Sequence, residues 1–270
     1  MWYKILLAAL YGILEGITEW LPISSTGHLI LLRHFISFPA SDSFFEVFEV
    51  VIQLGAILAV LVLYFHTVNP LSSKKSPAER ADTWRLLARI ALAALPAAAI
   101  GLLLDDLLDA CLFRAEVVVA MLILYGILFL FCRSTAPQEE KAALPSKKQA
   151  LLIGCFQVLS LVPGTSRSGA TMLGGLCAGL SRKGAAEFSF FLAIPTMLGA
   201  SALKLFKFFL EGNVLTATEL FMLISGSMAA FLMSLLAIRT LLQFVKRHSL
   251  APFGVYRILL GALVLLTLFF

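Results

Sequence analysis

Two short stretches of the sequence hold the groups that could do chemistry. The first runs Glu15-Gly-Ile-Thr-Glu19-Trp-Leu-Pro22-Ile-Ser24-Ser25-Thr26-Gly27-His28. Glu15 and Glu19 lie four apart, so on a helix they share a face. Carboxylates at that spacing repel, and low dielectric strengthens the repulsion. They persist together if a cation bridges them, an arginine faces them, or one holds a proton. Such pairs serve metal binding, assembly of an anion site, or general acid–base work. The plainer alternative is a pair reaching out to a membrane surface. Ser24, Ser25, Thr26 and His28 then supply three hydroxyls and an imidazole in five residues. Hydroxyls at a helix start cap the backbone, and the same N-terminus attracts phosphate. A serine there is a nucleophile if a base lies within hydrogen-bond reach. His28, Glu15 and Glu19 are the bases nearby, and a structural role for His28 is an equal alternative.

The second stretch is Pro163-Gly164-Thr165-Ser166-Arg167-Ser168-Gly169. Its proline and glycines allow a tight turn, and its hydroxyls and amides donate hydrogen bonds. Arg167 offers a permanent bidentate charge suited to phosphate. An arginine within an apolar stretch is expensive and usually functional. The alternative is a structural ion pair with Glu15 or Glu19, and both readings set it against the first stretch. Glu46, Glu49 and Gln53 lie on one side of the next apolar segment and could line the same cavity. Glu187 and Ser189 hold a related place further on. A buried hydrogen-bond network would explain them equally. Asp105, Asp106 and Asp109 read as a cation site or, more plainly, a solvated loop. Tyr256-Arg257 reads as an interfacial anchor.

The elements that position these groups follow from composition. Of 270 residues, 60% are hydrophobic and 14% charged, against about 45–50% and about 25% in soluble domains. A soluble globule, a disordered chain and a secreted disulfide scaffold are excluded; a polytopic helical membrane protein remains. The net charge of +5 reads as loop charge rather than nucleic-acid binding. Cys111, Cys132, Cys155 and Cys177 are too far apart for a metal or redox motif and read as packing residues. The N-terminus resembles a signal peptide but lacks a small-x-small cleavage site, so it is taken as part of the mature chain.

Six apolar stretches meet the ~20 residues a membrane crossing needs: roughly 44–65, 86–104, 115–132, 187–208, 218–241 and 252–270. Two more, 5–33 and 149–180, are broken by the polar motifs. Irregular backbone at membrane depth survives only where protein or a wet cavity satisfies it, so both are candidate re-entrant hairpins. If the hairpins return to their own side, one face collects Lys74, Lys75, Arg80, Arg85, Arg89, Arg133, Lys141, Lys147, Lys148, Arg182, Lys183, Arg239, Lys246, Arg247 and Arg257. The other face holds Lys4, Arg33, Arg114, Lys204 and Lys207. The first face is then cytoplasmic, with both termini outside. The loops 66–85 and 133–148 read as solvated connections.

The chain also repeats itself. At a shift of 142 residues Gly12 matches Gly154, Glu15 matches Gln157, Thr18 matches Ser160, Ser24 matches Ser166, Thr26 matches Ser168 and Gly27 matches Gly169. At a shift of 144, Leu54-Gly55-Ala56 matches Leu198-Gly199-Ala200. Each half is a broken hairpin and three spans, and an odd number of spans inverts the second half. The expected fold is all-α: a single integral membrane domain over 1–270, with six transmembrane helices and two re-entrant helical hairpins in an inverted-topology repeat. The halves are about 1–135 and 148–270.

The two motifs resemble the signatures of the bacterial undecaprenyl-diphosphate phosphatases of the bacitracin-resistance type. Phe48-Glu-Val-Val-Ile-Gln-Leu-Gly55, Glu187-Phe-Ser-Phe and the length are similar too, and the resemblance runs nearly end to end. It implies an interleaved inverted-repeat fold in the bacterial inner membrane, with a site open to the outer face. It implies removal of the terminal phosphate of undecaprenyl diphosphate, which recycles the lipid carrier for cell-wall synthesis. Carried over by position, Ser25 is the nucleophile and Arg167 holds the diphosphate. Glu15 and Glu19 bind a divalent cation (Mg2+ or Ca2+) or assist proton transfer, and His28 is an alternative nucleophile or a support. Ser24, Thr26, Gly27, Gly164, Thr165, Ser166, Ser168, Gly169, Glu49 and Gln53 complete the expected substrate-binding set. The expected partners are the polyprenyl diphosphate lipid and membrane lipids, with a homodimer left open and no nucleic acid. The alternative function is a secondary transporter or flippase for a polyprenyl phosphate lipid, since inverted repeats and broken helices also mark transporters.

Overall fold

Backbone amides in an apolar solvent must be satisfied within their own segment, and helices do this. A computed structural model describes residues 1–112, 114–132 and 144–268. The expectation at Asp105, Asp106 and Asp109 concerns side chains outside that description, as does most of the loop over 133–148. Among the described residues there are eleven α-helices and no strand. The first half contains α1 (Trp2–Thr18), α2 (Ser25–Phe35), α3 (Asp42–Leu63), the short α4 (Phe65–Val68), α5 (Pro77–Leu112) and α6 (Ala115–Phe131). The second contains α7 (Lys147–Val158), α8 (Arg167–Cys177), α9 (Arg182–Leu210), α10 (Ala217–Arg247) and α11 (Ala251–Thr267). Each of the six apolar stretches expected to span is helical over most of its described residues. Four of these helices contain stretches long and apolar enough to cross a membrane: Asp42–Leu63, Pro77–Leu104, Arg182–Leu210 and Ala217–Arg247. At about 1.5 Å per residue, the 17-residue helices α6 and α11 reach about 25 Å. The 11- and 12-residue helices α2, α7 and α8 reach only about 16–18 Å, well short of a ~30 Å hydrocarbon core.

Hydroxyl residues open most of these helices. Ser41, Ser146, Ser181 and Thr216 accept from the amide three residues on, and Ser146–Gln149 and Thr216–Glu219 complete reciprocal capping boxes. Ser24 and Ser166 cap α2 and α8 in the same way, but from an unusual backbone. Their φ values are +73° and +69°, and among the described residues they are the non-glycine positions with positive φ. Each costs about 1–3 kcal/mol of strain, which the surrounding packing must offset. They are the two serines matched at the 142-residue shift.

Small residues let the halves interlock. α1 lies along α10 of the other half, and α7 lies along α5. A Cβ on Gly12 would stand 2.1 Å from the Gly226 carbonyl oxygen, and one on Gly154 would stand 2.4 Å from the Ala93 oxygen. Gly16 meets Ala230 and Gly55 meets Ser227 just as closely. In a lipid solvent such backbone approach supplies the packing that holds helices together. Hydroxyls bind across the seams: Ser234 donates to the Gly16 carbonyl and Ser201 to that of Val50.

Gly12→Val therefore pries α1 off α10 against backbone that cannot step aside. Its melting temperature in detergent should fall steeply, by more than the ~1–3 kcal/mol of ordinary overpacking. Gly199→Ala, where a Cβ meets nothing within 4 Å, should leave it unchanged. Equal melting temperatures for the two would contradict this account of the seam.

Candidate functional site

The two breaks between α1 and α2 and between α7 and α8 meet at one cavity of about 400 Å³. One wall is polar: Glu19, Ser25 and Thr26 from the first break, Gly164, Ser166 and Arg167 from the second. Gln53 of α3 and Gln157 of α7 join them. The other wall is apolar, built from Ala94, Ala97 and Leu102 of α5 and Met197 and Leu203 of α9, with Lys204 beside them. A mostly apolar cavity with convergent polar groups suits a small-molecule ligand or the head of a lipid.

Glu19 is the junction of the polar wall. Its Oε1 accepts from Arg167 Nε at 3.2 Å and Nη2 at 3.1 Å. Its Oε2 accepts from the Ser25 hydroxyl at 3.1 Å. Arg167 Nη1 donates to the Ser189 carbonyl at 2.8 Å, and the guanidinium lies 5.6 Å from the Trp20 ring. The pair is almost wholly enclosed, with 11% and 7% of the two side chains exposed. Ser168 donates to the Leu21 carbonyl at 3.1 Å, and Thr171 shares a 2.6 Å hydrogen bond with the Ser189 hydroxyl. The start of α8 is thus fastened to the first break and to α9. Ser25 and Arg167 are the first helical residues of α2 and α8, so two helix N-termini face the cavity, each favouring negative charge.

The structure brings together Glu19, Ser25, Thr26, Gln53, Gly164, Ser166 and Arg167 from the expected set. Others lie behind the wall. Ser24 caps α2, and Gly27 packs against Leu122 and Leu260. Ser168 is buried in its bond to Leu21, and Thr165 is buried with its hydroxyl unpartnered among the described residues. Gly169 packs against Phe129 and the Ser166 side chain. Gly164 needs its identity: its φ is +88°, and a Cβ would stand 2.6 Å from the Val118 carbonyl. Glu15 is fully buried beside Glu19, Glu49 and Gln53, with neither carboxylate oxygen hydrogen-bonded among the described residues. Glu49 is half-buried and outside the cavity wall. Glu46 is exposed and pairs with Lys204 at 3.6 Å. Glu187 lies apart from the wall, held by Lys183 at 3.9 Å and the Tyr64 hydroxyl at 3.3 Å.

His28 also lies behind the wall. Its Nδ1 is 2.7 Å from the Ser24 carbonyl and its Nε2 is 2.7 Å from the Tyr256 hydroxyl. A carbonyl only accepts, so Nδ1 carries the hydrogen, and in the neutral ring Nε2 accepts from Tyr256. Both nitrogens are engaged, and the ring stacks on Tyr256.

The expectation for Tyr256-Arg257 fails at Arg257. Arg257 is not an interfacial anchor, and it does not belong to a cytoplasmic loop: it is fully buried. Nη1 donates to the Pro22 carbonyl at 3.3 Å, and Nη2 to those of Gly164 at 2.8 Å and Met121 at 3.2 Å. The guanidinium lies 5.5 Å from the Tyr125 ring and 5.8 Å from the Phe129 ring. It ties both breaks to α6. The sequence carries the signal, since Arg257 like Arg167 stands within an apolar run, but its place near the helix start favours reading it as an anchor.

The fold and the site together define a class: an integral membrane protein whose two broken helices build a buried carboxylate–serine–arginine site beside an apolar cavity. Over residues 8–263 the sequence matches the family described as bacitracin resistance protein BacA, and the chain belongs to that family. It is 52% identical over 262 residues to an undecaprenyl-diphosphatase of Enterococcus faecalis, covering 96% of this chain and 95% of that protein. It is 52% identical over 270 residues to one from Streptococcus mutans, covering 98% and 96%. A third, from Limosilactobacillus fermentum, is 50% identical over 266 residues, covering 97% and 96%.

Arg257→Ala leaves three buried carbonyls without their donor, at about 1–3 kcal/mol for each group left unsatisfied. Its melting temperature should drop by many degrees. Arg257→Lys should recover little, because an ammonium cannot reproduce the planar fork. Full recovery by lysine would show that charge alone, not the three-carbonyl clasp, is what matters.

Proposed function

We propose that the chain removes the terminal phosphate of undecaprenyl diphosphate, yielding undecaprenyl phosphate and inorganic phosphate, and so supports cell-wall synthesis and bacitracin resistance. The curated relatives named undecaprenyl-diphosphatase support the activity. The observation that carries the mechanism is the Glu19 carboxylate shared between the Ser25 hydroxyl and Arg167.

Ser25 Oγ attacks the terminal phosphorus while Glu19 accepts its proton. The bond from that phosphorus to the bridging oxygen breaks, and the lipid monophosphate leaves with the bond's electron pair. Water then hydrolyses the phosphoserine, releasing inorganic phosphate and restoring the hydroxyl. Three of the five guanidinium N–H groups of Arg167 bond to Glu19 and Ser189. The other two are left to meet charge on the transferred group. The starts of α2 and α8 add their dipoles. His28, with both nitrogens engaged, holds the Ser24 backbone. The prenyl chain is far larger than the cavity, so it runs out along the apolar wall into lipid.

The residues fit a divalent cation, Mg2+ or Ca2+. Glu15 and Glu19 would hold it, and the two unpartnered Glu15 oxygens are what such an ion would satisfy. Among the described residues there is no cluster of three or more His, Cys, Asp or Glu, so further ligands would be amide, water or phosphate oxygens. When bound, the ion supplies neutralisation of diphosphate charge.

The same reading takes α3, α5, α6, α9, α10 and α11 as six spans and α1–α2 and α7–α8 as re-entrant hairpins in an inverted repeat. The strained serines at matched positions support it, as do the matched glycines pressed on α10 and α5. The cavity then opens on the outer face of the bacterial inner membrane, since Lys204 of its wall belongs to the less basic side. A homodimer is not needed, because one chain supplies every side chain of the site.

The test is phosphate release from detergent-solubilised polyprenyl diphosphate, with and without chelator. Arg167→Ala should lower kcat by about 10²–10³-fold, and Ser25→Ala by about 10²–10⁴-fold. Chelator should abolish release by wild type. Activity retained in Ser25→Ala would transfer the attack to water. No release from folded wild type would overturn the phosphatase reading in favour of lipid flipping, measurable in vesicles.

A further inference from the structure

Gln157 is a buried polar group that the reaction above leaves unused. It stands on α7 where Glu15 stands on α1, at the 142-residue shift. It is 1% exposed, and it forms part of the cavity wall with Ser160, Ser166 and Arg167. Neither its Oε1 nor its Nε2 has a hydrogen-bond partner among the described residues.

A primary amide buried at membrane depth with both ends unsatisfied is destabilising. Packing does not account for it, since leucine fills a similar volume without polar atoms. The chemistry of the wall does. Glu15 and Glu19 already place two carboxylates at the first break. A third, on α7, would repel both, would compete with Glu19 for Arg167, and would oppose an entering anion. A carboxamide adds two N–H donors and no charge, on the side of the cavity that already carries Arg167 and the start of α8. The halves are differentiated accordingly: the first provides carboxylates and a hydroxyl, the second provides donors for an anion.

We infer that Gln157 is a phosphate-binding residue, donating from Nε2 to a non-bridging oxygen of the substrate's diphosphate. This rests on the phosphatase reading above for its substrate, but the binding chemistry is that of any phosphoryl oxygen. The bond forms in the ground state and persists in the transition state, so it acts on affinity more than on turnover.

The experiment uses the full chain in detergent, as wild type, Gln157→Leu and Gln157→Glu. Calorimetry measures binding of inorganic pyrophosphate, turnover gives KM and kcat for a polyprenyl diphosphate, and thermal unfolding reports folding. Gln157→Leu should weaken pyrophosphate binding and raise KM by about 10-fold, with kcat within about 2-fold and the melting temperature equal or higher. Gln157→Glu should weaken both further, through repulsion. Wild-type pyrophosphate affinity in either variant would overturn the inference, as would a loss confined to kcat. If wild type released no phosphate yet Gln157→Leu still lost pyrophosphate affinity, the phosphatase reading would fall and the binding role would stand.

Discussion

A buried guanidinium must be met by something, and here Arg167 is met by Glu19. The rest of the site follows from that pair. The arginine comes from the second break and the glutamate from the first, so neither break can be built alone. The carboxylate has two oxygens, and the arginine engages only one, which leaves the other for Ser25. A buried ion pair is weak support for stability by itself, because desolvation offsets much of its Coulomb attraction. Its role here is to fix two irregular segments against each other and to hand a serine hydroxyl to a carboxylate.

Other contacts hold that arrangement in place. Arg257 fastens the carbonyls of Pro22, Gly164 and Met121. The adjacent Tyr256 reaches His28, and His28 reaches the Ser24 carbonyl. One turn of α11 therefore grips both breaks. The strain at Ser24 and Ser166 is what such a grip must hold: each serine turns the backbone sharply so that the next residue begins a helix facing the cavity. The glycine seams between α1 and α10 and between α7 and α5 bring these short helices close enough for the breaks to meet.

Much of this was legible in the residues. The six apolar stretches mark the helices that frame the site, and the clustered Ser, Pro and Gly mark the breaks. The Glu15–Glu19 spacing and the arginine within an apolar run point to a shared site. What hydropathy cannot distinguish is a helix face packed on protein from one bathed in lipid. That is why Arg257, near the start of α11, looked like an anchor when α6 and both breaks close over it. Nor could the sequence foretell the setting of His28, because its partner Tyr256 lies 228 residues away. The left-handed backbone at two serines was hidden as well, since no glycine announces it. Glu49 and Gln53 lie four apart on α3 and share a face, yet the cavity wall includes Gln53 and not Glu49.

The central claim is that Ser25 acts through the Glu19 carboxylate, and a double-mutant cycle tests it most directly. Phosphate release from polyprenyl diphosphate would be measured as kcat/KM for wild type, Ser25→Ala, Glu19→Gln and the double variant. Groups that act as one unit are strongly non-additive. The double variant should therefore be no slower than the slower single. If the two losses multiply, serine and carboxylate act independently, and the account of the shared carboxylate is contradicted.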